Sequence, residues 1–338
     1  MSRIVYSTLL AIAFIVLSAG NKKGKQSEHF PIARQVADTG GGLIEPRNIA
    51  PINVGRKRLV VDTPFSPIMA MRLLLPGNYY HVSEHGNGDD TIDLVGWSCR
   101  GCAKKKYIGW ILNEPILFPT ELNITEARDT LHYTDDSGRR HIIMAMASHI
   151  GTMVTDDLFI GRYFPVALSL AWFAERNNKW VLTGFTPCIG MFGAFQSLPK
   201  LNLIKLGKNN YGCYLDNGNG GPGQVYVHDL HIFGIVNGNV AMVLHDEKVG
   251  RVNTPSSTWW YELIPWAGKT NNTWMPITLN LEGTYYKNTP DTEFDWTDHV
   301  PEMTKAQLAK DSLNFKVVRK FQFSNGRYRR VSGKLTIQ

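Results

Sequence analysis

The chain has 338 residues, of which 43% are hydrophobic and 19% charged, with a formal net charge of +7. This balance excludes a disordered chain, a collagen-like repeat and a small disulfide scaffold, and it leaves room for one large globular domain or two ordinary ones. The cationic excess sits largely at the ends, at Lys22, Lys23 and Lys25 and again at Arg319, Lys320, Arg327, Arg329 and Arg330. Such runs read as solvated ends, with attraction to an anionic surface or polymer as the functional alternative.

The first twenty residues carry one charge, Arg3, then an apolar run from Ile4 to Leu17, then small residues at Ser18 and Gly20. That order predicts a secretory signal peptide over 1–20, and the run is short for a membrane span. The expected location is therefore exported, periplasmic or secreted, with no transmembrane segment after cleavage and no nucleic-acid partner. Residues 21–57 mix Lys, Gly, Pro and Asn without apolar periodicity and predict a linker or loosely ordered arm.

From Arg58 onward β signals dominate. Apolar-rich runs are joined by turn-forming residues at Asp136-Ser137-Gly138, Arg176-Asn177-Asn178, Lys208-Asn209-Asn210, Asn237-Gly238-Asn239 and Asn325-Gly326. The expected fold is mainly β, with antiparallel hairpins and meanders. They form one or two packed β-rich subdomains, 58–195 and 196–338, with one short C-terminal helix over Pro301–Leu313. Strands alternating with long helices are missing, which excludes a doubly wound parallel fold. The glycine-rich stretch at 217–223 precedes no helix signal, so it predicts a loop, not a phosphate cradle.

In chain order, the first stretch with chemical content is SEHGNGDDTIDLVGW, at 83–97. Alternating Asn and Asp can gather oxygen ligands for calcium, with glycine allowing the tight turn. Asn87-Gly88-Asp89 followed by Asp93-Leu94-Val95 resembles the loop-then-strand signature of FG-GAP or VCBS-type β proteins. His85 stands where the first Asp of that signature lies, and Asp90 where its Gly lies. The resemblance implies a cation loop held by Asn87, Asp89 and Asp93; an Asx-rich hairpin turn is the alternative. His81, Glu84 and His85 lie close by and are further candidate ligands. A second stretch, from Leu201 to Ile235, is similar to the C-terminal part of exported bacterial β-rich proteins that carry one such degenerate loop. It implies an exported β-rich protein and transfers no catalytic residue.

Cys99 and Cys102 form a CxxC pair behind Trp97 and ahead of Lys104-Lys105-Lys106. A redox centre needs a thiolate at a helix N-terminus, and Ser98 separates the tryptophan from the pair. A zinc site would recruit Cys188 and Cys213, at a spacing wider than zinc ribbons use. In an oxidising compartment all four cysteines are expected in disulfides, most simply Cys99 with Cys102 and Cys188 with Cys213.

Four tryptophans, Trp259, Trp260, Trp266 and Trp274, crowd one segment and are candidate glycan-stacking rings, with core filling as the alternative. His228 and His231 fall at odd spacing on one expected strand, so their rings belong to opposite faces. The leading functional expectation is an exported, non-catalytic binding protein for a protein partner or an envelope glycan. A periplasmic thiol oxidoreductase using the CxxC pair, and an inhibitor or immunity protein against a secreted toxin, are the alternatives. No catalytic residue and no cofactor, calcium apart, is expected.

Overall fold

The computed structural model describes residues 59–75, 125–148, 165–194, 197–218, 229–244, 262–263, 272–287 and 300–338 with their side chains, and further short strands as backbone only. The predicted signal segment and most of the predicted arm lie outside these residues. The strands, in chain order, are β1 (Arg47–Asn48), β2 (Val60–Asp62), β3 (Gly77–Ser83), β4 (Thr91–Trp97), β5 (Lys106–Ile108), β6 (Pro115–Leu117), β7 (Asn123–Thr134), β8 (Arg140–Ile150), β9 (Val166–Arg176) and β10 (Lys179–Phe192). They continue with β11 (Asn202–Gly207), β12 (Asn210–Asn219), β13 (Val227–Val236), β14 (Asn239–Lys248), β15 (Val252–Asn253), β16 (Thr258–Ile264), β17 (Ile277–Tyr286), β18 (Ser312–Ser324) and β19 (Arg327–Ile337). Helix α1 spans Pro67–Leu74 and α2 spans Lys305–Leu308. Every strand pairing is antiparallel, as the hairpin signals predict.

Three main sheets result. The first runs β1-β3-β4-β7-β8-β9-β10-β2, the second β11-β12-β13-β14, and the third β15-β16-β17-β18-β19; β5 and β6 pair separately. They stack with the second sheet in the middle. One of its faces packs Cys213, Leu215 and Phe233 against Ile143, Leu168, Leu170 and Trp172 of the first sheet. Its other face packs Ile204, Leu206, Leu230 and Ile232 against Leu279, Leu281, Phe315 and Val317 of the third. Helix α1 closes the far face of the first sheet, setting Met71 and Leu74 on Ile142, Met144, Ala171 and Phe173.

This layering explains the strand sequences. β9 reads VALSLAWFA and is buried at nine successive positions, because helix and sheet cover its two faces. β17 alternates buried and half-buried along its length, because one of its faces looks outward. The five predicted turns all form, with Asn177, Asn178, Asn209, Asn237 and Asn325 at positive φ, the conformation Asn tolerates best after Gly.

Two features differ from expectation. The C-terminal helix is one turn, Lys305–Leu308, not Pro301–Leu313: Thr304 is its N-cap, in a reciprocal capping box with Gln307, and β18 already begins at Ser312. Helix α1 has no counterpart in the sequence reading. Its start signals are present all the same, Ser66 accepting from the Met69 amide and Pro67 in the first turn. Among the described residues no helix is long and apolar enough to cross a membrane.

Candidate functional site

The predicted site residues separate. Asn87, Asp89, Cys99, Cys102, Trp266, Glu84 and His85 lie outside the described residues. Asp93 falls on β4, opposite His81 on β3, and only the backbone of that pair is described. Among the described residues no three His, Cys, Asp or Glu side chains gather as they would around a metal ion.

Cys188 and Cys213 are buried thiols and are not joined to each other, which corrects the expected crosslink. Cys188 packs into the core beneath α1, whereas Cys213 belongs to the core between the first and second sheets. The body of the first sheet thus separates two sulfurs whose backbones would have to approach within about 7 Å to bond. Burial, with Asp129 adding to it, pushes the Cys213 thiol well above its ordinary range. In a Cys99→Ser/Cys102→Ser variant, we expect no thiol to react with Ellman's reagent in the native state. Two should titrate after denaturation without reductant. A denatured protein that titrates none would restore the crosslink.

Trp274 is half-buried. It stacks flat on Phe323, 3.7 Å between ring centroids, and meets Tyr328 edge-on, sealing the core between the second and third sheets. Register sets Trp259 opposite Gly283 and Trp260 opposite Glu282. Alternation therefore puts the two positions on opposite faces of the third sheet, position 260 on the outward one.

Three polar clusters hold elements together. At the tip of β7–β8, Asp135 Oδ1 accepts from the Ser137 amide and hydroxyl (2.9 and 2.6 Å) and from the Arg139 amide (3.0 Å), while Oδ2 bonds His141 Nε2 at 2.9 Å. Burial pushes this carboxyl up, but those hydrogen bonds outweigh it and hold it well below the usual range. Serine, aspartate and histidine meet here in the wrong order for acyl transfer, since the carboxylate stands between the other two and the imidazole has no hydroxyl to deprotonate. The neighbouring Asp136 accepts from Lys205 and the Asn209 amide, pinning this tip to the β11–β12 hairpin. On the second sheet, buried Asn217, Asp229 and His231 share the face turned to the first sheet. Asn217 Oδ1 accepts from the Gly193 amide at 2.7 Å, and Phe192 meets the His231 ring edge-on. His231 is therefore interior, at 5% exposure. In the third cluster Glu302 receives a two-pronged contact from Arg319 and a further bond from Arg330. Arg319, counted among the solvated cations in the sequence, is 1% exposed.

A shallow cleft of about 180 Å³ opens at the β7–β8 end of the first sheet, lined by His132, Tyr133, Thr134, Arg140, His141 and Trp180. The Arg140 guanidinium caps the Trp180 ring and is held by both oxygens of Glu175. Its charge is thereby spent within the protein.

The outward face of the third sheet is different. Residues 312–338 contain seven Lys and Arg and no Asp or Glu. Arg319 and Arg330 go to Glu302, and Lys316 pairs with Glu282. Lys320, Arg327, Arg329 and Lys334 are exposed and make no ion pair with a described carboxylate. All four fall on one face. β18 presents even-numbered positions outward, among them Lys320, with buried Phe315, Val317 and Phe321 between them. Across from it, Arg327 and Arg329 oppose Ser324 and Gln322, while Lys334 opposes Val318. A bulge places Val331 as an extra residue between Arg330 and Ser332, and so reverses the phase of β19. Without it Lys334 would point inward when Arg329 points outward. Comparison with protein-family models, curated proteins and solved structures gives no significant match.

Proposed function

We propose that the chain is an exported, non-catalytic binding protein that holds an extended anionic ligand on the outward face of the β18–β19 hairpin. The observation that carries this reading is the set of four cations, Lys320, Arg327, Arg329 and Lys334, that pair with no described carboxylate and are phased onto one face by the Val331 bulge. Three neighbouring cations on the same two strands are neutralised within the fold, so the remainder is a local excess of positive potential on a rigid sheet. The predicted signal peptide supports the export part. The Asp135, Glu302 and Asn217 clusters are consumed by hydrogen bonds that fasten hairpins and loops, which supports a scaffold that presents a surface.

The test uses dextran sulfate as the probe. The full chain should be retained on an immobilised dextran sulfate surface and released as salt screens the contacts. A Lys320→Gln/Arg327→Gln/Arg329→Gln/Lys334→Gln variant should keep its melting temperature and lose affinity by about tenfold or more. A variant retained as strongly as the parent overturns the proposal.

A further inference from the structure

Given that basic face, we infer that its ligand is a carboxylate-bearing polysaccharide lying along β18 and β19. The inference rests on the reading above and adds the chemical class. Arg327 and Lys334 are seven positions apart on one strand, so at the usual rise per residue the cations extend over roughly 23 Å. A single headgroup or small ion would leave most of that length unused, whereas a polymer fills it.

The groups between the cations matter as much. On the outward face of β18 and β19 the intervening residues are Gln322, Ser324, Ser332, Thr336 and Asn314, all exposed, with Val318 half-buried. These offer amide and hydroxyl hydrogen bonds interleaved with positive charge. A carboxylated sugar chain presents the complementary set, hydroxyls interleaved with anions. The bonds from Arg and Lys to carboxylate would be charge-assisted, and those from Ser, Thr, Asn and Gln would fix the sugar hydroxyls.

The same face suits the other polyanions less well. Stable attachment to an anionic bilayer calls for apolar side chains that enter the acyl boundary beside the basic ones. The outward positions of β18 and β19 supply only Val318, and the exposed Val331 sits at the bulge on the sheet edge. Sequence-tolerant binding of single-stranded nucleic acid draws on aromatic rings for base stacking, and those positions carry none. Among the described residues the exposed ring on that side of the sheet is Tyr286, 43% exposed, at the far corner beyond the Lys316–Glu282 pair.

The experiment measures binding of the full chain to polygalacturonate, to the same polymer with its carboxyls methyl-esterified, to vesicles containing 30% phosphatidylserine, and to single- and double-stranded oligonucleotides. The expected result is saturable binding to polygalacturonate, a loss of about tenfold or more on esterification, and a like loss in the four-site Gln variant. Single variants Arg327→Gln and Lys334→Gln should each lose about two- to fivefold, so the result does not depend on the multiple variant folding. Vesicles or oligonucleotides that bind as tightly as polygalacturonate overturn the assignment of ligand class and leave the basic face standing. The same holds if dextran sulfate capture depends on the hairpin but polygalacturonate does not bind. If no polyanion binds, or the Gln variants bind like the parent, both the class and the face are overturned.

Discussion

Replacing Glu302 with alanine is expected to destabilise the fold by about 3–5 kcal/mol, because it strands a charge in the interior. Glu302 lies in the segment between β17 and β18 and crosses the sheet at β19. Its Oε1 accepts from Arg319 Nε at 2.9 Å and Arg330 Nη1 at 3.1 Å, and its Oε2 accepts from Arg319 Nη2 at 2.9 Å. The Arg319 side chain is 2% exposed and reaches no bulk water when the carboxylate is removed. Arg330, 39% exposed, can turn to solvent and contributes little to the loss. Closeness at this crossing also explains Gly333, where a Cβ would come within 2.5 Å of Glu302 Oε1. The check is urea denaturation of Glu302→Ala beside Glu302→Leu/Arg319→Met, which removes both charges and should recover most of the loss. A Glu302→Ala midpoint within experimental error of the parent would show that the pair does not hold the segment. The acid limb gives a second reading. Burial pushes the Glu302 carboxyl up, but the hydrogen bonds and charge of Arg319 prevail and place it below the ordinary value of 4.5. A carboxyl whose folded value is depressed contributes its stability above the unfolded value and loses it as pH falls through the folded one. The parent should therefore lose stability more steeply than Glu302→Gln as pH drops below about 4.5.

Hairpins were legible in the sequence because their cause is local. Asn-Asn, Asn-Gly and Asp-Ser-Gly specify positive φ at particular residues, and the structure has it there. What lies above the hairpin was not legible. The run VALSLAWFA lacks alternation, which signals burial on both faces, but nothing local tells whether helix or sheet provides each cover. Cys188 and Cys213 lie on different strands, and their separation depends on which side of the first sheet each faces. Trp274 belongs to the core because Phe323, 49 positions later, comes to lie flat against it. The basic face was half visible. The sequence shows the cations, but Arg319 turns inward to a carboxylate 17 positions away, and Lys334 joins Arg329 only through the bulge at Val331. Neither event has a sequence marker.

Phe233 tests whether the stacked sheets fold as one body. It stands on β13 opposite Cys213, fully buried, with Phe192 edge-on at 5.7 Å between centroids. The cluster around it draws on both sides of the expected division near residue 195: Trp172 and Leu168 precede it, and Leu215 and Val240 follow. Phe233→Ala removes a large ring from this shared layer, and neither rigid sheet can close the space by a small shift. The expected cost is about 3–5 kcal/mol, transfer and cavity together. If the layer joins the halves, the loss appears in one cooperative transition, with tryptophan signals from Trp172 in the first sheet and Trp274 beside the third moving together. Coincident curves, both shifted by Phe233→Ala, are the predicted outcome. Two separated transitions, only one of them displaced by the substitution, would mean that 58–195 and 196–338 are independent units in contact.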